Sequence, residues 1–207
     1  MFALVESGSI TKYLNGNQGI QIGDLKYPRA IYTLWTEAER NAIGIYTVEY
    51  DDSNKKDEKW YTNTNQSYAF ADNKVTASYG SATAKAHADT KWTQEEIDAD
   101  PSEAPAGADT NTVRNEGLKT KLIRAVKAQA ANELAKTDWY ITRKSEKNTA
   151  IPSAITTHRD AVRSKQAAME TAITNASDTP ALETLYKYTR QDDGSTTRPL
   201  GELPILN

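Results

Sequence analysis

Few residues in this chain have the types and spacings that chemistry requires. The two histidines, His87 and His158, lie far apart, and neither has a second histidine at ligand spacing. Neither a metal centre nor a histidine acid–base pair is expected from them; His158 reads as a helix-surface or seam histidine. Asp98, Asp100 and Glu103 suggest a calcium loop, but such a loop needs a fixed alternation around a central glycine, and Pro101 interrupts that order. Gly16, Gly19 and Gly23 miss the phosphate-loop spacing, and the sequence holds neither a Walker lysine nor a Gly-x-Ser-x-Gly elbow. The chain has no cysteine, which excludes disulfides and thiolate metal ligands. Tyr13, Tyr27, Tyr32 and Trp35 have faces that stack on sugars or bases, but in a small β domain such aromatics more often fill the core. No cofactor and no enzymatic activity are expected. A glycan-cleaving enzyme would need a cleft with two close carboxylates, and short domains leave little room for one.

The densest information lies in Thr137-Asp138-Trp139-Tyr140-Ile141-Thr142-Arg143-Lys144-Ser145-Glu146, followed by Ile151-Pro152 and then Arg159 and Arg163. Here a large aromatic sits among complementary charges where two helical patterns meet. Trp139 is expected to fold over the end of a helical hairpin and cover Ile151 or Ile155. Asp138 and Glu146 are expected to pair with Arg159 or Arg163 across it. Trp139, Arg143, Glu146, Arg159 and Arg163 are thus candidates for a structural clasp, and Trp35 and Trp60 for the core of a β domain.

The elements that must position these residues are legible as patterns. Phe2–Val5 and Ile10–Tyr13 flank Ser7-Gly8-Ser9 and predict a hairpin. Thr36 and Glu39 form a capping box for a short helix that Gly44 stops. Ile45–Tyr50 alternates as a strand, and a second hairpin, Lys59–Ala71 with Val75–Tyr79, is expected around Asp72-Asn73-Lys74. Leu118, Leu122, Val126, Ala130, Leu134 and Ile141 mark one helix face, with Ala125, Ala128, Ala131 and Ala135 beside it to admit a close neighbour. Ile155, Val162 and Met169 recur every seven residues, with Ile173 beyond. The two helices are expected to run antiparallel, joined by a short connection. Residues 180–185 suggest a third, shorter helix.

Composition sets the frame. Hydrophobic residues make up 38% of 207, and Phe occurs only twice, so 4 Trp and 11 Tyr must supply much of the bulk. Their polar tips suit thin domains and interfaces. Net charge is −3, unevenly spread: residues 1–85 are nearly balanced, residues 86–113 hold seven acids against one base, and residues 114–207 hold fifteen bases against eleven acids. That modest excess falls short of a nucleic-acid footprint. No run approaches the roughly 20 apolar residues of a membrane span, and the start lacks a signal-peptide pattern. Neither nucleic acid nor membrane is an expected partner.

The fold expected is α+β: a small, mostly β N-terminal domain (1–85), an acidic Ala/Pro/Asp linker (86–113), an antiparallel helical hairpin (114–190) and an extended C-terminal arm (191–207). The Thr137-Asp138-Trp139, Arg143, Glu146, Ile151-Pro152, Arg159 and Arg163 pattern resembles a segment of bacteriophage tail fibre assembly and tail-fibre-related proteins. Tyr27-Pro28, Leu34-Trp35, Glu39 and Gly44–Val48 are similar to small proteins of marine phages. The resemblance implies a structural virion protein, a baseplate or tail-tip adaptor or a fibre-associated part, made in the host cytoplasm and residing in the tail. It implies other tail, baseplate or fibre proteins as partners, and a homo-oligomer or several copies per particle. The alternative is a non-virion chaperone of fibre assembly. The resemblance carries no catalytic residue with it.

Overall fold

Alternating apolar and β-branched residues at the start of the chain give strands whose two faces are both used. The computed structural model describes residues 1–206 and divides into two units, Met1–Thr83 and Ala84–Asn207. The first unit runs β1 (Phe2–Glu6), β2 (Ser9–Leu14), β3 (Ile20–Ile22), β4 (Leu25–Tyr27), α1 (Ile31–Leu34), α2 (Glu37–Ala42), β5 (Ile45–Asp51), β6 (Tyr61–Thr62), β7 (Gln66–Ala71) and β8 (Lys74–Tyr79), with β9 (Thr83–Ala84) on the boundary. Five strands form one sheet in the order β2-β1-β5-β8-β7, antiparallel except for the β5–β8 pair. The first expected hairpin is present, and the second is present but shorter, because its first strand begins at Gln66 and not at Lys59. The second turns through Asp72 and Asn73, both at positive φ, as a tight hairpin turn requires.

The sheet curls until its two outer strands approach, and the rings of Tyr13 on β2 and Tyr68 on β7 meet with centroids 4.8 Å apart. Ala3 pairs with Tyr13, and Ala77 with Tyr68, so these residues share the concave face. That face is lined by Ala3, Val5, Val48, Val75 and Ala77, which are small enough to permit the tight curvature. The two edges that would otherwise offer strand addition turn toward each other instead. The opposite face packs Leu4, Leu14, Ile20, Ile31, Tyr32 and Ile45 together, with Trp35 and Tyr27 partly buried beside them. Thr36 and Glu39 close the capping box that starts α2. Gly44 then turns the chain at φ +81°, with space for no Cβ because the Val5 carbonyl oxygen would lie 2.6 Å from it.

The second unit runs β10 (Thr90–Lys91), α3 (Gln94–Ala99), β11 (Val113–Asn115), α4 (Leu118–Ala135), α5 (Asp138–Lys147), α6 (Ser153–Asn175), α7 (Thr179–Tyr186), β12 (Thr189–Arg190) and β13 (Thr196–Thr197). The acidic stretch 86–113 is not a bare connector. β10 pairs with β11, and α3 starts from a capping box of Thr93 and Glu96. Trp92 is buried beneath the Arg114 guanidinium, 4.7 Å above its ring, and Arg114 also pairs with Glu96. Averaged composition hides these few anchors among Pro, Ala and Asp.

The residues before β10 are stapled to the start of α4. Leu118 and Lys119 donate their N–H groups to the carbonyls of Ala86 and His87, each at 2.9 Å. The Asp89 carboxylate accepts from the Gly117 N–H at 2.7 Å and the Thr120 hydroxyl at 2.8 Å. Amide donors that a helix N-terminus leaves orphaned are satisfied in this way. Thr179, itself buried, donates to the Lys85 carbonyl at 2.6 Å and ties α7 to the same segment.

The Gly117 and Thr120 hydrogen bonds hold the Asp89 carboxyl below the usual carboxylate range. A depressed native pKa adds stability that is fully present above the ordinary carboxylate value and fades as pH falls through the native one. Asp89→Ala removes the hydrogen bonds to Gly117 and Thr120 and is expected to cost about 1 kcal/mol at neutral pH. The difference from the parent chain should narrow below about pH 4, as urea melts across pH would report.

α4 and α6 run antiparallel, as their two ends record: Lys119 on α4 donates to Thr174 O near the end of α6, and Arg159 near the start of α6 donates to Leu134 O. The heptad seam of α6 is buried at Ile155, Val162, Met169 and Ile173; on α4 the buried counterparts are Val126 and Ala130. Two expectations are corrected here. Ala125, Ala128, Ala131 and Ala135 stay exposed, and Ala130 is the small residue within the seam. The two long helices are joined through α5, because the first helix breaks at Thr137 (φ −119°, ψ 7°) instead of running on to Ile141.

The arm expected to extend also folds back. β12 and β13 form a hairpin, buried Leu200 donates its N–H to Leu185 O at 3.0 Å, and the Leu206 N–H approaches the Glu133 carboxylate at 3.4 Å. Apolar Leu200 supplies the burial that draws it back; Asn207 lies outside the described residues.

Candidate interaction surface

The break between α4 and α5 is built around one arginine. Arg159 is 8% exposed, and its Nη1 donates to Leu134 O at 2.8 Å, Thr137 Oγ1 at 2.7 Å and Asp138 Oδ1 at 2.8 Å. Thr137 is fully buried and donates both its N–H and its hydroxyl to Leu134 O. The last carbonyls of α4 lack helical partners, and this cluster supplies them while fixing the direction in which α5 leaves. Beside it, Glu133 and His158 are both buried, with His158 Nε2 3.5 Å from the Glu133 carboxylate. The Lys136 ammonium holds that carboxyl below its usual range. His158 is thus a seam residue.

Past the clamp, α5 buries none of its ten residues. Its local signals are still those of a helix. Asp138 lies in the first turn and Lys144 and Lys147 in the last, which complements the helix dipole. Asn148 ends it in the left-handed conformation and accepts from Lys144 Nζ at 2.7 Å. Trp139 and Tyr140 stack at 3.9 Å, and the Arg143 guanidinium lies 4.7 Å and 5.2 Å from their ring centroids. Trp139 remains 51% exposed and Ile141 42%.

The clasp is therefore placed differently from its expectation. Asp138 does pair with Arg159. Arg163 instead pairs with Asp160 on its own helix, and among the described residues Glu146 makes no ion pair. Trp139, expected to be buried over Ile151 or Ile155, is instead 51% exposed beside Tyr140 and Arg143, because the helix breaks at Thr137; Arg159 and Thr137 take the anchoring role. Trp139→Ala is accordingly expected to cost no more than about 1 kcal/mol, well short of the loss of a core tryptophan, a difference that chemical denaturation resolves. In the first unit Trp60 is buried, whereas Trp35 is half-buried and meets Tyr27 edge-on at 5.9 Å. The sequence placed Thr137 in the motif without a role for it and left Trp92 unmarked. Thr93-x-x-Glu96 beside Trp92 was a readable signal, whereas nothing local marks Thr137.

Other features give less. A cavity of about 90 Å³ lies beside Tyr32, walled by Asn15–Gly19, and an open groove of about 590 Å³ is lined by Leu134, Arg163, Gln166 and Glu170. Among the described residues no three His, Asp or Glu side chains group as a metal would need. No helix of the described residues is long and apolar enough to cross a membrane. No family model, curated protein or solved structure matches this chain.

Proposed function

We propose that this chain is a structural component of a bacteriophage tail, a baseplate or tail-tip adaptor or a fibre-associated part, that joins neighbouring proteins by direct contact. The observation that carries the reading is α5, a helix within the tail-like sequence pattern that is anchored at one end and turns Trp139 and Ile141 to solvent. Isolated helices shorter than about 12–15 residues are marginal in water, so a ten-residue helix that buries none of its own residues gains most from being covered. A half-exposed Trp with Tyr and Arg beside it presents the residue types that anchor protein interfaces.

Its partners are other tail, baseplate or fibre proteins, and it is present in several copies in the mature particle. Protein quantification of purified phage particles tests this. A fixed ratio to the major tail protein supports the adaptor; presence in the infected-cell lysate with absence from particles would replace it with the assembly chaperone.

A further inference from the structure

We propose that α5 is a self-association element, through which two copies of this chain meet antiparallel about a twofold axis. The proposal builds on the reading of α5 as a docking surface and names its occupant. Arg143 and Glu146 follow Trp139 by four and seven residues, so all three lie on one side of the helix. Arg143 is half-buried: its Nε is enclosed without a hydrogen-bond partner and its guanidinium lies over the Trp139 and Tyr140 rings, while neither Arg143 nor Glu146 has an ion partner among the described residues. Opposite charges three residues apart on one face are self-complementary: in an antiparallel pair, each Arg143 comes within reach of the other copy's Glu146. A twofold interface requires that property, because one patch must serve both sides. A partner surface of a single sign would leave one of the two charges unmatched.

Area sets the strength. A ten-residue helix is about 15 Å long, so the contact covers a few hundred Å² per copy, below the roughly 800 Å² per partner of a stable complex. The dimer is therefore weak, with a dissociation constant on the order of 100 µM. It acts when neighbours in an assembly hold copies side by side at high effective concentration.

Sedimentation equilibrium of the full chain, from about 10 µM to about 1 mM, is the test. The apparent mass should climb from monomer toward dimer. Arg143→Glu and Glu146→Arg should each hold the chain monomeric throughout, with unchanged circular dichroism. An equimolar mixture of the two variants should associate again, since each reversed charge then faces its opposite. Glu146 is exposed, so Glu146→Arg is informative even where Arg143→Glu disturbs α5. A parent chain that stays monomeric at about 1 mM, or a dimer indifferent to Glu146→Arg, overturns the proposal. Particle composition is measured separately. A monomeric chain found in particles sinks the self-association alone, and a dimerising chain missing from them sinks the tail-component reading alone.

Discussion

Gly117→Ala is expected to destabilise the second unit by on the order of 3 kcal/mol, although the glycine is an N-cap and its φ of −75° is open to any residue. The reason is proximity. A Cβ on Gly117 would lie 2.3 Å from the Ala88 carbonyl carbon, 2.4 Å from its oxygen and 2.8 Å from the Asp89 nitrogen. All three are backbone atoms, so relief requires residues 86–89 to move away from α4. That movement breaks the hydrogen bonds of Leu118 and Lys119 to Ala86 and His87, and those of Gly117 and Thr120 to Asp89. Gly107, where a Cβ would meet nothing within 4 Å, provides the contrast. Its φ of +77° makes Gly107→Ala strained, but by only about 1 kcal/mol. Urea denaturation of the two variants should separate them clearly.

Arg159→Ala is expected to cost about 2–4 kcal/mol, because a buried charged donor with three acceptors is lost together with its packed aliphatic stem. Asp138→Ala removes one of those acceptors, but that side chain is 61% exposed, and exposed ion pairs contribute about 1 kcal/mol or less. The asymmetry is diagnostic. Were the Asp138–Arg159 pair the main anchor, both substitutions would cost similar amounts. With Thr137 and the Leu134 carbonyl as the main acceptors, Arg159→Ala is far the worse.

Local signals in the sequence predicted local structure well. The capping box at Thr36, the strand at Ile45–Tyr50, the first hairpin and the heptad of α6 each depend on residues within a turn or two of one another, and each is present. What escaped depends on distant partners. The stretch 86–113 reads as solvent-facing by composition, yet Trp92 finds Arg114 across some twenty residues and Asp89 finds Gly117 across 28. The helix through Trp139 reads as continuous because its apolar periodicity runs from Leu118 to Ile141. The break at Thr137 is stabilised by Arg159 from another helix, which no window around Thr137 contains. Once the chain turns there, Trp139 exchanges a core role for a surface one, and Glu146 is carried away from Arg159 and Arg163. The interaction surface was thus visible as a motif, while its orientation required the fold.

Hydrogen–deuterium exchange resolved along the chain tests most directly whether α5 is a helix awaiting cover. In dilute protein, well below the dissociation constant proposed for α5, the amides of residues 141–147 should exchange orders of magnitude faster than those of α6 between Ile155 and Ile173, because no fully buried residue of α5 opposes their local opening. Once the chain is incorporated into tails, they should slow toward the rate of α6. Protection of α5 equal to that of α6 in the dilute, isolated chain would contradict this account.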